Sequence, residues 1–320
     1  LPDCYQPGRF AVGLAQPALD VRPVLKSNHS RRKSLRINPR RKPMHTVTAN
    51  GATIPALGFG TFRVPGSDVL RIVPKALKTG FRHIDTAQIY GNEAEVGEAI
   101  AGSGITRGDI FLTTKVWVDK YKRDAFVTSV DESLQKLKTD YVDLLLLHWP
   151  NDAVPLAEQI GALNEVKEAG KVRHIGVSNF NTALMAQSVS LSKAPIVTNQ
   201  IEYHPYLNQD VVIAEAKKSG MSITSYFAMA DGKVLADPVL KDIAAKHGKS
   251  VAQVVLRWLV QQDGVIALSK TVTEARLAEN AAIFDFALSS EEMAAIHALS
   301  KADGRIVSPD GLAPVWDAAV

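Results

Sequence analysis

From residue 46 onward, short apolar runs alternate with longer stretches in which apolar residues recur every three or four positions. The runs near 57–60, 81–85, 111–115, 142–147, 172–176, 196–200, 222–226 and 264–268 are short and nearly all apolar, as expected of strands buried on both faces. Helical periodicity fills the gaps at 67–79, 93–102, 124–138, 155–169, 182–190, 208–219 and 274–283. An insertion at 236–262 adds two helices, and a last helix at 290–299 precedes an irregular tail. Ahead of the first long run, Thr46-Val-Thr and Ala52-Thr-Ile flank Asn50-Gly51, a dipeptide that takes positive φ at low cost and so predicts a hairpin. Eight strands alternating with helices predict a parallel sheet closed on itself. The expected fold is α/β, a (β/α)8 TIM barrel with an N-terminal β-hairpin and two extra helices, spanning residues 44–320.

Composition changes this picture in one place. The 320-residue chain is 46% hydrophobic and 22% charged, ordinary for a globular protein, with a net charge of +4 and a pI near 9.0. Residues 1–43 hold ten of the 37 Lys/Arg and two of the 33 Asp/Glu, which leaves 27 basic and 31 acidic residues in the remainder. The barrel segment is therefore mildly acidic, and the excess of positive charge belongs to the arm. That arm carries six prolines and the clusters Arg31-Arg-Lys and Arg40-Arg-Lys, so it is expected to be disordered, as upstream sequence ahead of Met44 or as a presequence. A nucleic-acid-binding role would rest on it alone, and none is expected. No apolar run approaches the ~18 residues of a membrane span. The single cysteine, Cys4, excludes an intrachain disulfide and fits a reducing compartment; the expectation is a cytoplasmic monomer.

Candidate chemistry collects just past the strand ends, which converge on one face of a barrel. Asp85, with Tyr90 five residues on, follows the second run; Lys115 ends the third, and His148 ends the fourth. A Tyr beside a Lys–Asp pair is a candidate proton donor, because a nearby cation lowers the phenol pKa. Alone, His148 would read as a packed core histidine, and Lys115 as a Schiff-base lysine. Their matching positions favour one shared site. Gly58-Phe-Gly60 has Arg63 where a dinucleotide fingerprint needs its third Gly, and no Cys/His metal spacing is present. Ser269-Lys270-Thr-Val-Thr-Glu-Ala-Arg276 follows the last run and opens a helix, a position where barrels hold phosphate; the alternative is two solvated cations. Trp117, Trp149 and Tyr226 could line a pocket or cap the barrel, and Ser178, Asn179 and Gln200 could bond a carboxamide.

These residues sit in longer motifs: Gly58-Phe-Gly-Thr-Phe, Phe81-Arg-His-Ile-Asp-Thr-Ala-Gln-Ile-Tyr-Gly-Asn-Glu, Thr114-Lys-Val-Trp, Tyr141-Val-Asp-Leu-Leu-Leu-Leu-His-Trp-Pro, Lys171-Val-Arg-His-Ile-Gly-Val-Ser-Asn-Phe and Asn199-Gln-Ile-Glu-Tyr-His-Pro. With them the chain resembles the aldo-keto reductase family over nearly all of residues 46–317. Within that family it is most similar to the bacterial 2,5-diketo-D-gluconate reductases of the B type, through Ile223-Thr-Ser-Tyr and Arg305-Ile-Val-Ser-Pro-Asp-Gly-Leu-Ala-Pro-Val-Trp-Asp. The resemblance implies an NADPH-dependent carbonyl reductase. It gives the catalytic tetrad as Asp85, Tyr90, Lys115 and His148, with Tyr90 the proton donor and His148 orienting the carbonyl. It puts Thr61, Ser178, Asn179, Gln200, Tyr226, Lys270, Thr271, Arg276, Glu279 and Asn280 at the cofactor, Lys270 and Arg276 on its 2′-phosphate, and Phe62, Trp117 and Trp149 around the substrate. Small dicarbonyls or keto-sugar acids are the expected substrates, such as 2,5-diketo-D-gluconate and methylglyoxal. A broad aldehyde reductase, or a barrel that binds cofactor without turnover, is the alternative. The chain departs from the family pattern at Phe227-Ala-Met, after Tyr226, and at Ser269.

Overall fold

In the computed structural model, which describes residues 45–318, eight parallel strands close into a barrel in the order β10-β3-β4-β5-β6-β7-β8-β9. They are β3 (Leu57–Gly60), β4 (His83–Asp85), β5 (Phe111–Val116), β6 (Val142–Leu147), β7 (Val172–Ser178), β8 (Ile196–Glu202), β9 (Ser222–Tyr226) and β10 (Val265–Ser269). The expected arm at 1–43 lies outside the described residues.

Every residue of β6, Val-Asp-Leu-Leu-Leu-Leu, is buried, because the barrel interior covers one face and the helix ring the other. Strands β7 and β8 each run two residues further than the apolar pattern predicts. The β7–β8 register shifts between Ile175 and Val177, and pairing resumes through Val177↔Asn199 and Ser178↔Gln200. Gly176 lies at the irregularity, where a Cβ would come within 2.8 Å of the Thr198 carbonyl oxygen, so only glycine allows this approach. The extension carries the polar ends Ser178, Gln200 and Glu202 up to the C-terminal mouth.

The hairpin forms as expected. Strands β1 (Thr46–Ala49) and β2 (Ala52–Pro55) pair antiparallel, and Asn50 and Gly51 turn with φ of 44° and 85°. Asn50 Nδ2 donates to the carbonyls of Ile196 (2.7 Å) and Ser219 (3.0 Å), which fastens the turn beside the start of β8.

Among the described residues ten helices surround the barrel, two more than its eight strands require: α1 (Gly66–Thr79), α2 (Glu93–Ala101), α3 (Arg123–Lys136), α4 (Leu156–Glu168), α5 (Thr182–Leu191), α6 (Asp210–Lys218), α7 (Pro238–His247), α8 (Val251–Gln261), α9 (Glu274–Ala281) and α10 (Ser290–His297). Helix α8 starts at a reciprocal cap between Ser250 and Gln253 and buries Val254, Val255, Trp258 and Leu259. Burying side chains of this kind contributes about 1.5–3 kcal/mol each. No helix among the described residues is long and apolar enough to cross a membrane.

The segment after α10 is ordered by contacts with the strand ends. Ile306 and Val307 donate their N–H groups to the Glu202 carboxylate (2.7 and 2.8 Å), and Thr182 is bonded twice by Asp317 (3.0 and 2.7 Å). The tail thus runs along the mouth beside β7 and β8.

Candidate active site

Strand geometry brings Asp85, at the end of β4, next to Lys115 on β5. Lys115 is fully buried, and its ammonium donates to Asp85 Oδ1 (2.6 Å), the Thr86 carbonyl (2.8 Å) and the Tyr90 hydroxyl (3.3 Å). These three bonds use all three ammonium hydrogens. Asp85 Oδ2 accepts from Gln200 Nε2 at 2.8 Å, from the opposite side of the barrel. Tyr90 reaches the group from a short 3-10 turn, Gln88–Tyr90, that closes in αL at Gly91 (φ 67°). Gln88 fixes this turn by accepting from Trp117 N–H (2.9 Å) and donating to Ser133 Oγ (3.1 Å).

The electrostatics correct one expectation. The Tyr90 phenol is pushed well above its ordinary range, first by burial and then by the Asp85 charge. The cation does not lower it, because Lys115 is already paired with Asp85 and burial outweighs what remains. Tyr90 therefore stays protonated. Burial also lowers the Lys115 ammonium, against the pull of Asp85. His148 is held well below its usual value by burial, reinforced by Lys115, so its imidazole is neutral. Its Nδ1 is buried without a hydrogen-bond partner. An unmet lone pair costs less than an unmet N–H, which assigns the proton to Nε2.

Aromatic rings enclose the group. Tyr90 and Trp117 meet the His148 ring edge-on at 5.6 and 5.2 Å, and Phe62 tilts over Tyr90 at 5.0 Å. Phe62 is 41% exposed and stands at the rim. Trp149 is only 6% exposed, its backbone clasped by the Tyr121 hydroxyl, and Trp316 of the tail packs edge-on against it at 6.3 Å. Trp316, which the apolar pattern did not single out, thus covers Trp149 from the tail.

On the other side of Tyr90 and His148 a polar set is tightly ordered. Tyr226 donates its hydroxyl to Asn179 Oδ1 (2.6 Å), Asn179 Nδ2 donates to the His148 carbonyl (3.0 Å), and Ser178 Oγ donates to the Gln200 carbonyl (2.8 Å). Asn179 holds φ of 63°, and Arg63, Phe227, Ala230 and Asp231 also take positive φ in the loops after β3 and β9. Strain of this kind at non-glycine residues collects at functional mouths. Across those two loops, the Arg63 guanidinium lies over the Phe62 and Phe227 rings (5.1 and 5.6 Å) and pairs with Asp231 at 3.8 Å. Thr61 is buried, its N–H and hydroxyl both donated to the Asp85 carbonyl (2.9 and 3.1 Å).

A second cluster lies beyond β10. Lys270 and Arg276 are exposed, and neither is paired with a carboxylate among the described residues. Asn280 Nδ2 donates to Ser269 Oγ (2.8 Å), Thr271 Oγ1 accepts from Thr273 N–H (3.0 Å), and Glu279 is half-buried on the same helix.

Residues 56–301 match the family model described as the Aldo/keto reductase family. The chain is 47% identical over 268 residues to methylglyoxal reductase DkgB of Yersinia pestis, covering 83% of this chain and 100% of that protein. Among solved structures, a provisionally named 2,5-diketo-D-gluconic acid reductase B is 70% identical, with a TM-score of 0.85 over 86% of this chain and 98% of its own. A variant of Gox0644 in complex with NADPH is 34% identical, with a TM-score of 0.79 over 83% and 97%.

Proposed function

The chain belongs to the aldo/keto reductase family, and we propose that it reduces small activated dicarbonyls and keto-sugar acids through Tyr90, His148, Lys115 and Asp85. Membership makes it an oxidoreductase that reduces carbonyl groups with NADPH. The residues fit that cofactor. Lys270 and Arg276, exposed and without a carboxylate partner among the described residues, would hold its 2′-phosphate, and Thr271, Glu279 and Asn280 would hold the adenosine end. Ser178, Asn179 and Gln200 would hold its carboxamide, Tyr226 would offer a ring to its nicotinamide, and Thr61 would support the site through its bonds to the Asp85 carbonyl. Bound, the cofactor would supply the two reducing electrons, as hydride, to the carbonyl carbon.

The chain's own part is acid and electrostatic. Tyr90 accepts the Lys115 N–H on its oxygen, so its own hydrogen remains free for a carbonyl oxygen in the mouth. His148 presents a second, neutral donor through Nε2–H. Two fixed donors aimed at an oxygen that gains negative charge favour the transition state over the ground state. As that oxygen takes the Tyr90 proton, the phenolate left behind is stabilised by the Lys115 ammonium, which Asp85 holds in place. The cation therefore acts on the product of the proton transfer rather than on the resting phenol.

Substrate size follows from the walls. Trp117, Trp149 and Phe62 narrow the mouth beside Tyr90 and His148, which suits a compact molecule. A ketone or aldehyde beside a second carbonyl is the easier acceptor, because its carbon is more electrophilic. We therefore place 2,5-diketo-D-gluconate, reduced to 2-keto-L-gulonate, and methylglyoxal, reduced to acetol, among the substrates. The names of the two most similar proteins above support this reading. The observation that carries the mechanism is the shared Lys115 ammonium, bonded at once to Asp85 and Tyr90. An intact tetrad also disfavours a barrel without turnover. Oxidation of NADPH by the purified protein with methylglyoxal tests the reading, and no turnover would reject it.

A further inference from the structure

Arg305, in the tail, keeps its hydrogen-bonding capacity unspent. Its Nη1 is buried with no hydrogen-bond partner, and none of its N–H groups bonds a described residue. Glu202 is close, with Oε2 at 3.9 Å, but that distance is too long for a hydrogen bond. The carboxylate is already engaged. Oε1 accepts from Ile306 N–H (2.7 Å) and contacts His204 Nε2 (2.9 Å), and Oε2 accepts from Val307 N–H (2.8 Å). Glu202 thus holds the tail backbone and keeps a positive charge nearby without consuming its donors.

The guanidinium is also held in place from the other side. Its Cζ lies 3.6 Å over the Trp316 ring, and Trp316 in turn packs against Trp149. Glu202 and Tyr226 are register partners at the ends of β8 and β9, so Arg305 stands above those two strand ends. From there the stack Arg305–Trp316–Trp149 reaches to the residue after His148. A planar cation, oriented by an indole and carrying free donors, matches a carboxylate in geometry and charge.

We infer that Arg305 is a specificity-determining residue that binds the carboxylate of acidic carbonyl substrates at the mouth. The inference rests on the substrate reading above and divides its two substrates: 2,5-diketo-D-gluconate carries a carboxylate, and methylglyoxal carries none. Arg305 touches no reacting atom in this role. It selects which carbonyl compounds dwell beside Tyr90.

The test compares full-length wild type, Arg305→Met and Arg305→Lys with NADPH and both substrates. It adds D-gluconate, an acid with no carbonyl to reduce, as an inhibitor of methylglyoxal reduction. In Arg305→Met the ratio of kcat/KM for the diketo acid to that for methylglyoxal should fall roughly 10- to 100-fold, the worth of a charged hydrogen-bonded contact. The change should appear mainly in KM. The gluconate inhibition constant should rise in parallel, and Arg305→Lys, which keeps the charge without the fork, should fall between. An unchanged ratio with unchanged gluconate inhibition overturns the inference. So does an equal loss on both substrates that Arg305→Lys reverses, since that marks a purely structural cation. A wild type that reduces neither substrate rejects the substrate reading instead, and one that reduces only methylglyoxal leaves gluconate inhibition to decide on Arg305.

Discussion

Lys115 donates a hydrogen bond to the Tyr90 hydroxyl oxygen at 3.3 Å, inside a barrel wall where the lysine is fully buried. The direction of this bond matters. A phenol that accepts from within the protein has its own hydrogen available outward, and a cation already in place can meet the charge left when that hydrogen departs.

Replacing Tyr90 by Phe removes only the hydroxyl. We expect kcat for carbonyl reduction to fall by ~10²–10⁴, the usual worth of a positioned general acid, with NADPH affinity retained. Steady-state rates and a fluorescence titration measure the two. A variant keeping more than about a tenth of the wild-type kcat removes Tyr90 from this role.

Asp85→Asn leaves the Lys115 ammonium buried without its counter-ion. Breaking a buried pair in this way costs about 3–5 kcal/mol, so denaturant unfolding should show a loss of that order together with loss of activity. Full stability with no activity would mean that Asp85 serves only the chemistry.

Cofactor choice should follow Lys270 and Arg276. With both changed to Ala, the Kd for NADPH should rise strongly while that for NADH hardly moves, because only the former carries the 2′-phosphate. Equal weakening of the two cofactors would show that these cations do not read it.

Acid stability depends on two buried histidines. Burial lowers His83 from 6.5 to about 4 and holds His148 low as well. Both groups are neutral in the fold, whereas the unfolded chain takes up their protons once the pH drops below 6.5. The stability they contribute is complete above that pH and falls below it; for His83 the loss runs down to about pH 4 and amounts to about 3 kcal/mol. The melting temperature should fall over this window, and His83→Gln should fall less steeply than wild type. Parallel pH profiles would contradict the assignment.

The strands, helices and hairpin were readable because their signals are local. Asn50-Gly51 specifies its turn by backbone preference, and Val142–Leu147 shows its burial in composition alone. The clustering of Asp85, Tyr90, Lys115 and His148 was readable as well, since each stands at or shortly past the end of a predicted strand. What escaped depends on residues far apart in sequence. The Gln200–Asp85 bond joins positions 115 apart, and the Glu202 grip on Ile306 joins positions 104 apart. Neither leaves a periodic trace, so the tail read as irregular and its contacts with Glu202 and Trp149 could not be foreseen. The sign of the Tyr90 shift was misjudged for a related reason. It depends on how completely the barrel excludes water, and the order of residues along the chain does not show this.

The most direct test of the proposed activity is a comparison of kcat/KM under identical NADPH conditions for methylglyoxal, 2,5-diketo-D-gluconate, glucose and a steroid ketone. A compact, aromatic-walled mouth with two neutral donors predicts that the two activated dicarbonyls rank first. A steroid ketone or glucose at the head of the series would contradict that account of the pocket.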